Sequence, residues 1–382
     1  MKRKDTSFEL YIHIPFCVRK CAYCDFLSAP GSEEAKASYT EALLREIEAV
    51  KTEKREVSSI FVGGGTPSAL SPSLMGDIFE KIHKSFSVAP DAEITIEANP
   101  GTLSKEKLFL YRNVGINRLS LGLQSPEAAE LKSLGRIHTY EEFLESFSLA
   151  REAGFQNINV DLMCALPDQT YEGWVRNLRK VAALHPEHIS AYSLIIEEGT
   201  PFAKRKLNLP DEDTENRIYH FTRTFLAEQG YGRYEISNYA KPGRECLHNT
   251  GYWREVPYLG LGLGAASCIN GTRFSNERDL DTYLHLDFSE EGGSSALALL
   301  RGTVEELTRE AQMEEFMFLG LRMTKGISEI DFVSMFGVKI EGVYGPVIER
   351  LIGDGLLKRE GVWISLTEWG MDVSNFVLSE FL

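Results

Sequence analysis

The sequence predicts an α/β fold with a parallel sheet, followed by a smaller α+β region. Three observations support this prediction. Strand and helix patterns alternate through residues 8–197, and several predicted strands end in glycine or polar residues. After residue 230 the composition changes to segments rich in glycine, aromatic residues and turns. Strict alternation of strands and helices implies parallel strands joined by right-handed crossovers. Six such units can form an open doubly wound sheet or an incomplete (βα) barrel, and periodicity does not decide between the two.

The individual elements of the first half follow from local signals. Apolar extended runs predict strands at residues 8–15, 58–65, 92–99, 118–124, 155–164 and 188–197. Apolar positions at helical spacing predict helices at residues 35–54, 72–86, 104–113, 140–153 and 171–184. Ser71 followed by Pro72 is typical of a helix start, and Gly154 is typical of the residue after a helix end.

The second half is organised differently. The predicted elements are an acidic helix at 210–230, short strands at 231–276, an exposed acidic connection at 287–295, helices from 303 onward, a hairpin at 356–366 and a final helix after Thr367. The order of the last elements, with helices at 327–335 and 340–354 before the hairpin, resembles a winged-helix module. We expect three regions: an α/β region at 1–210, an accessory region at 211–300 and a winged-helix-like domain at 301–382.

Composition limits the functional classes. The chain has 382 residues, 43% of them apolar, which suffices for one large domain and a smaller one. A formal net charge of −15 argues against binding nucleic acid through phosphate neutralisation. No apolar run is long enough to span a bilayer and no signal peptide is recognisable, so we expect a reducing cytoplasmic location.

The most specific motif is a group of three cysteines directly after the first predicted strand. Cys17, Cys21 and Cys24 have the spacing C-x3-C-x2-C. Three thiolates on one short loop can hold three corners of a 4Fe–4S cluster and leave the fourth iron without a protein ligand. An open coordination site of this kind is where a metal centre reacts.

A structural zinc site is the alternative for these cysteines, since a C-x2-C pair is often half of one. It needs a fourth ligand, but Cys164 is far away in the sequence and His13 alternates with apolar residues like a strand residue. Disulfides are disfavoured because nothing in the chain indicates an oxidising compartment.

A second motif is the run Gly-Gly-Gly-Thr-Pro at residues 63–67, at the end of the second predicted strand. Glycines there allow a close approach of the backbone to a ligand, and free N–H groups can meet a carboxylate or phosphate. The alternative is a plain strand-to-helix turn. Ligands of α/β sheets bind at the carboxyl ends of the strands, which favours the ligand site.

Polar residues occupy the ends of other strands. Glu97, Gln124 and Asp161 hold equivalent positions on three strands, and their convergence predicts one shared site. Each carboxylate could equally brace a loop or cap a helix. Arg136 could pair with a ligand carboxylate as a bidentate fork, or lie on the surface.

A third motif combines a histidine with two aromatic residues. The run His-Asn-Thr-Gly-Tyr-Trp at residues 248–253 precedes a glycine-rich segment at 258–267. Imidazole is a common haem ligand, and aromatic side chains suit a flat macrocycle. Chemistry alone favours the alternative, in which His248 is a structural histidine hydrogen bonded in a second domain.

The cysteine spacing resembles the signature of the radical S-adenosylmethionine enzymes. Together with the other runs, nearly the whole chain resembles the family of oxygen-independent coproporphyrinogen III oxidases and their relatives. This resemblance implies a partial TIM-type (βα)6 barrel that carries a 4Fe–4S cluster on Cys17, Cys21 and Cys24. It also implies S-adenosylmethionine contacts at Tyr11, Tyr23, Gly64, Gly65, Thr66, Glu97, Gln124, Arg136 and Asp161.

One departure indicates the subfamily. The oxidases carry a further cysteine two residues after the third ligand, and this chain has Phe26 there. Phe26 and the run at 248–253 instead resemble the HemW-type haem chaperones, which bind haem and pass it to apo-haemoproteins such as respiratory enzymes. That resemblance makes His248 a candidate haem contact. A radical decarboxylase remains the alternative function. The haem acceptor, a homodimer and peripheral contact with a membrane stay open.

Overall fold

The computed structural model describes residues 7–288 and 293–382. The exposed connection predicted at 287–295 therefore lies partly outside the described residues. Within them, every helix is too short or too polar to cross a lipid bilayer.

Strands of the described residues belong to a large and a small sheet. They are β1 (Ser7–Ile14), β2 (Thr52–Gly64), β3 (Phe86–Ala98), β4 (Arg118–Gln124), β5 (Ile158–Cys164), β6 (His188–Ser193), β7 (Gly232–Arg233), β8 (Asn238–Ala240), β9 (Tyr258–Leu261), β10 (Ala266–Ile269), β11 (Thr272–Asn276), β12 (Arg301–Glu306), β13 (Ile327–Ser328), β14 (Leu357–Glu360) and β15 (Trp363–Leu366).

Helices connect the strands and complete the second half. They are α1 (Glu33–Ala49), α2 (Pro72–Ser85), α3 (Lys105–Asn113), α4 (Ala128–Leu134), α5 (Tyr140–Glu152), α6 (Tyr171–Ala182), α7 (Glu212–Glu228), α8 (Leu247–Trp253), α9 (Leu280–Leu284), α10 (Gly293–Leu300), α11 (Arg309–Gly320), α12 (Glu329–Phe336), α13 (Glu341–Gly353), α14 (Glu368–Asp372) and α15 (Ser374–Ser379). Short 3-10 helices lie at Pro67–Ala69 and Phe202–Lys204.

The large sheet is built around six parallel strands in chain order. β1 to β6 lie side by side, and each neighbouring pair is parallel. Because this order never reverses, right-handed crossovers place the intervening helices on one face and leave the other face concave. A doubly wound sheet needs a reversal of strand order. The structure therefore confirms the incomplete (βα)6 barrel.

The accessory region extends both edges of this sheet. β9 pairs in parallel with β1, and β10, β11 and β12 continue from it as antiparallel strands. At the other edge, β8 and β7 follow β6 as antiparallel strands. The domain boundary predicted at residue 300 falls inside the large sheet, because β12 pairs with β11.

The two faces of the sheet differ in polarity. On β1, Leu10, Ile12 and Ile14 are buried in the apolar core that includes side chains of α1. Glu9 and His13 alternate with them and are buried on the concave side. The side-chain period of two along each strand thus separates an apolar outer layer from a polar barrel interior.

Several elements differ from the sequence prediction. β2 and β3 begin at Thr52 and Phe86, well before the strands predicted at 58 and 92. Residues 301–306 form β12, where the sequence predicts helix from 303, because this segment pairs with β11. The helix predicted at 35–54 ends at Ala49, because β2 begins at Thr52 and pairs with β3. The unpredicted helix α4 fills the loop after β4 and ends at Gly135, whose φ of 76° favours glycine. Its length of 7 residues is too short to give a clear periodic signal.

The C-terminal region has its own apolar core. Met317, Phe332, Leu351 and Ile364 are fully buried together in it. The hairpin of β14 and β15 follows α12 and α13, and β13 pairs with β15 in the small sheet. This is the winged-helix order that the sequence predicts.

Candidate functional site

The three motif cysteines lie on the loop between β1 and α1. The Cys17 N–H donates to the Ala29 carbonyl at 3.0 Å, and the Ala22 N–H donates to the Leu134 carbonyl at 2.9 Å. Cys17, Cys21 and Cys24 are partly exposed free thiols, and all three line one pocket of about 330 Å³, called here the cofactor pocket. The structure thus brings the predicted cluster ligands to the carboxyl end of the barrel strands.

The chemistry of this donor set, three free thiols on one short loop, fits a 4Fe–4S cluster. No three His, Cys, Asp or Glu side chains in the described residues lie close enough together to hold one metal ion. A cubane is larger than one ion and takes one thiolate at each of three irons. Burial raises the pKa of the Cys21 thiol, and the positive charge of Arg136 opposes that rise. When bound, a 4Fe–4S cluster supplies an electron and an open iron position.

The glycine run at 63–67 forms a second wall of the cofactor pocket. Gly64 has a φ of 109°, and a Cβ atom on Gly65 would lie 2.6 Å from the Phe16 carbonyl oxygen. The Gly65 N–H donates to the Ile14 carbonyl and the Thr66 N–H to the Phe16 carbonyl, at 2.8 and 2.7 Å. The expectation of free N–H groups is therefore wrong for these two residues. The glycines instead let the run pack closely against the start of the cysteine loop.

Two carboxylates line the same pocket. The Gly64 N–H donates to Oε2 of Glu97 at 3.3 Å, while Ser120 and Asn159 donate to Asp161 at 3.1 and 2.8 Å. Burial and the nearby Asp161 raise the pKa of Glu97 to about 8, and burial raises the pKa of Asp161. A positively charged ligand would stabilise the ionised form of both groups, so this wall favours a cation.

Arg136 enters the pocket from the loop after α4. Its Nη1 donates to Oδ1 of Asn99 at 2.7 Å, and its Nη2 donates to the hydroxyl of Tyr23 at 2.9 Å. Its Nε is buried without a hydrogen-bond partner in the described part of the chain. The pocket therefore offers an anchored positive charge beside its carboxylates, as a zwitterionic ligand requires.

Of the remaining predicted S-adenosylmethionine contacts, Gln124 lines the pocket and Tyr11 does not. Gln124 lines the pocket with a φ of 66° and accepts a hydrogen bond from the Tyr192 hydroxyl at 2.9 Å. Tyr11 does not line the pocket: its hydroxyl lies 3.0 Å from Nδ1 of His13, and its ring stacks on Phe61.

Sequence reasoning missed several pocket residues, among them Asn99 and Tyr192. Asn99 donates to the Thr66 hydroxyl at 2.8 Å, and Tyr192 holds Gln124. Both follow the rule that located Glu97, since Asn99 comes directly after β3 and Tyr192 lies near the end of β6.

His248 lies elsewhere, on α8 inside the barrel. Its Nδ1 is 2.8 Å from the Ser59 hydroxyl, its Nε2 is 2.9 Å from the Tyr252 hydroxyl, and its ring stacks on Phe61. The side chain is 1% exposed, and burial with the nearby Arg118 lowers the pKa of His248 to about 3. In this arrangement His248 presents no free nitrogen to an iron. The geometry favours the structural histidine over the predicted haem contact.

Strand residues from the amino-terminal part of the barrel hold α8 in place. Glu93 accepts hydrogen bonds from the N–H groups of Leu247 and His248 at 3.1 and 3.2 Å. A Cβ atom on Gly251 would lie 2.0 Å from Oε1 of Glu9. We call this unit, formed by α8 with Glu9, Ser59 and Glu93, the His248 plug.

A chain of hydrogen bonds connects the plug with the cofactor pocket. The Cys246 N–H donates to the Tyr234 hydroxyl at 3.3 Å, and that hydroxyl lies 2.8 Å from Nε2 of His188. Nδ1 of His188 lies 2.6 Å from Oδ1 of Asn159, whose Nδ2 donates to Asp161. The two ends of the barrel interior therefore share one polar network.

Comparisons with known proteins agree with this architecture. Residues 11–181 match the radical SAM superfamily model, and residues 307–373 match the HemN C-terminal domain model. Two proteins named Heme chaperone HemW, from Bacillus subtilis (strain 168) and Escherichia coli (strain K12), are 38% and 37% identical to this chain. These alignments cover 97% and 98% of the chain and 98% of each relative.

The chain belongs to the HemW family. The radical SAM match of this HemW-family chain spans the cysteine loop, the glycine run and the ends of β3, β4 and β5 at the cofactor pocket, while Tyr192 of β6 lies beyond the match. The solved structure of coproporphyrinogen III oxidase (HemN) from Escherichia coli is 26% identical and superimposes with a TM-score of 0.85. That superposition covers 100% of this chain and 91% of the oxidase.

Phe26 marks the predicted difference from the oxidases. It lines the mouth of the cofactor pocket and is 58% exposed, beside Asp25 and Cys24. A phenyl ring at this position can neither bind iron nor take part in thiol chemistry.

Proposed function

We propose that the protein is a haem chaperone, which binds haem and transfers it to apo-haemoproteins such as respiratory enzymes. One observation carries the proposal: three free thiols share a pocket with Glu97, Asp161 and Arg136 in a chain that matches proteins named haem chaperones over nearly its full length. We place the function in the cytoplasm. A homodimer and contact with a membrane surface remain predictions of the family resemblance.

The cofactor pocket supports a defined assignment of roles. Cys17, Cys21 and Cys24 would hold a 4Fe–4S cluster, since they are the thiols that line the pocket. S-adenosylmethionine carries an ammonium, a sulfonium and a carboxylate. Glu97 and Asp161 suit its positive charges, and Arg136 suits its carboxylate.

Haem transfer is tested with the full chain, reconstituted with its cluster under anaerobic conditions. The protein is loaded with haem and mixed with an apo-cytochrome b, and the absorbance of the formed holo-cytochrome is followed. A chaperone gives a transfer rate that rises with acceptor concentration and exceeds the rate of haem loss to a scavenger such as apomyoglobin. Equal rates with both acceptors would show passive release and overturn the proposal.

The second candidate is a radical decarboxylase, which the superposition with coproporphyrinogen III oxidase favours. Phe26 in place of the further cysteine weighs against it. The two functions separate in one assay, because a decarboxylase converts coproporphyrinogen III to a divinyl product under strictly anaerobic conditions with S-adenosylmethionine and a reductant. We expect no product from this protein.

A further inference from the structure

A second cavity lies between the end of α8 and the C-terminal region. It has a volume of about 440 Å³ and is lined by Trp253, by the end of α11, by β13 and α12, and by Trp363 of β15. This volume is typical of small-molecule sites, which often lie where two regions meet. We call it the Trp253–Trp363 cleft.

The cleft is lined by aromatic side chains. Trp253, Trp363 and Phe316 contribute to it, and the indole N–H of Trp253 is buried without a hydrogen-bond partner in the described residues. The Lys325 ammonium lies 3.9 Å from the ring centroid of Trp363. The Arg322 guanidinium lies 4.4 Å from the ring centroid of Trp253. A ligand with a flat apolar body and an anionic edge matches these features, because the indoles offer apolar surface and the two cations offer positive charge.

Two thioethers also line the cleft. Met323 is buried, while Met335 is 46% exposed on α12. Methionine is an axial ligand of haem iron in some proteins. Asp331, Glu255 and Arg254 also line the cleft, so it carries both signs of charge and is not a general site for anions.

The alternative positions for haem are less suitable. The cofactor pocket, at about 330 Å³, must already hold a cluster and S-adenosylmethionine. The His248 plug is filled by side chains, and both ring nitrogens of His248 have hydrogen-bond partners. The motif run at 248–253 nevertheless reaches the cleft, because Trp253 at the end of α8 lines it.

We propose that the Trp253–Trp363 cleft is the haem site, with the macrocycle against the two indoles, a propionate near Lys325 and the sulfur of Met335 as an axial ligand. This inference rests on the proposed function and names the part of the structure where haem binds. The open position of Met335 suits a chaperone, because a ligand that is partly exposed can be exchanged for one supplied by the acceptor.

The test is a haemin titration of the full-length, cluster-reconstituted protein, followed by Soret absorbance under anaerobic conditions. Trp363→Ala removes one indole of the cleft, and Ser334→Trp fills the cleft from an exposed position on α12. Trp369→Ala is the matched control, because Trp369 is exposed outside the cleft. Met335→Ala tests the axial ligand, and thermal unfolding checks that each variant folds.

We expect the dissociation constant to rise by about tenfold or more in Trp363→Ala and Ser334→Trp, and to stay unchanged in Trp369→Ala. Met335→Ala should alter the visible spectrum of the bound ferric haem. Wild-type affinity in both cleft variants would overturn this site and leave the proposed function standing. Failure of the wild-type protein to saturate would overturn the proposed function itself, and with it the site.

Discussion

The cofactor pocket and the His248 plug are both polar, both inside one barrel, and yet differ in what they can bind. In the pocket, Glu97 and Asp161 have raised pKa values, three thiols are free and about 330 Å³ remains open. In the plug, the ring nitrogens of His248 face the hydroxyls of Ser59 and Tyr252. Side chains suited to chemistry therefore indicate a site only where their hydrogen-bonding capacity and some space are left for a ligand.

The largest expected effect is on the binding of the 4Fe–4S cluster in the cofactor pocket. Cys21→Ser should abolish assembly of a stable 4Fe–4S cluster, because only two thiolates remain on the loop. Iron and sulfide content and the electron paramagnetic resonance signal of the reduced protein measure this. Cys268→Ser is the control, since Cys268 is partly exposed outside the pocket. A full cluster signal in Cys21→Ser would remove the pocket's assigned role.

A smaller effect, on the stability of the folded protein, is expected at Gly251, where α8 packs against Glu9. Gly251→Ala should lower the free energy of unfolding by about 3 kcal/mol, because the added Cβ atom meets the buried carboxyl group of Glu9. Chemical denaturation measures the change. Gly342→Ala on α13 is the matched control, because a Cβ atom there meets nothing within 4 Å. Equal stability of the two variants would show that the plug is loosely packed.

His248 itself gives the sharpest contrast with the cofactor pocket. His248→Phe keeps a ring against Phe61 but leaves the hydroxyls of Ser59 and Tyr252 without their partner. We expect a loss of about 2 kcal/mol in the free energy of unfolding and no change in haem affinity. Denaturation and the haemin titration measure the two quantities. Weaker haem binding at unchanged stability would restore His248 as the haem contact.

The contribution of His248 to the free energy of unfolding should depend on pH in a defined direction. Burial lowers the pKa of His248 from 6.5 to about 3, so the unfolded state binds the extra proton between these values. Stability from the neutral ring is therefore present above pH 6.5 and is lost as the pH falls toward 3. Each pH unit below 6.5 removes about 1.4 kcal/mol, so the advantage of wild type over His248→Phe should vanish at about pH 5 and reverse at lower pH. A constant difference would contradict the assigned burial.

The smallest expected effect concerns ligand binding in the cofactor pocket. Glu97 has a pKa of about 8, so a cationic ligand that favours its ionised form must displace a proton at lower pH. The affinity for S-adenosylmethionine should rise by at most about tenfold between pH 7 and 8, and level off above pH 8. Glu97→Gln should bind more weakly and lose this slope in isothermal titration calorimetry. An unchanged pH dependence of the affinity in Glu97→Gln would show that another group releases the proton.

Much of the cofactor pocket could be predicted from the sequence because parallel strands bring their carboxyl ends to one edge. That rule predicts that Glu97, Gln124 and Asp161 lie together, and all three line the pocket. The family prediction is confirmed as well, since the motifs that carry it lie on short, continuous runs of the chain.

The plug and the edges of the sheet could not be predicted in the same way. The position of α8 depends on Glu9, Ser59 and Glu93, which come from strands more than 150 residues earlier. The pairing of β9 with β1 is equally distant in the chain. Local patterns contain no information on such long-range packing. The chemistry of the run at 248–253 favours a structural histidine in a second domain, but it does not place His248 inside the barrel against Ser59.

One measurement tests the contrast between the two regions most directly: an anaerobic crystal structure of the cluster-reconstituted protein with S-adenosylmethionine and haem. We predict a 4Fe–4S cluster on Cys17, Cys21 and Cys24, S-adenosylmethionine between the cluster and Glu97, and the His248 ring still between Ser59 and Tyr252. A haem iron bound by Nε2 of His248, with α8 withdrawn from the barrel, would contradict the account.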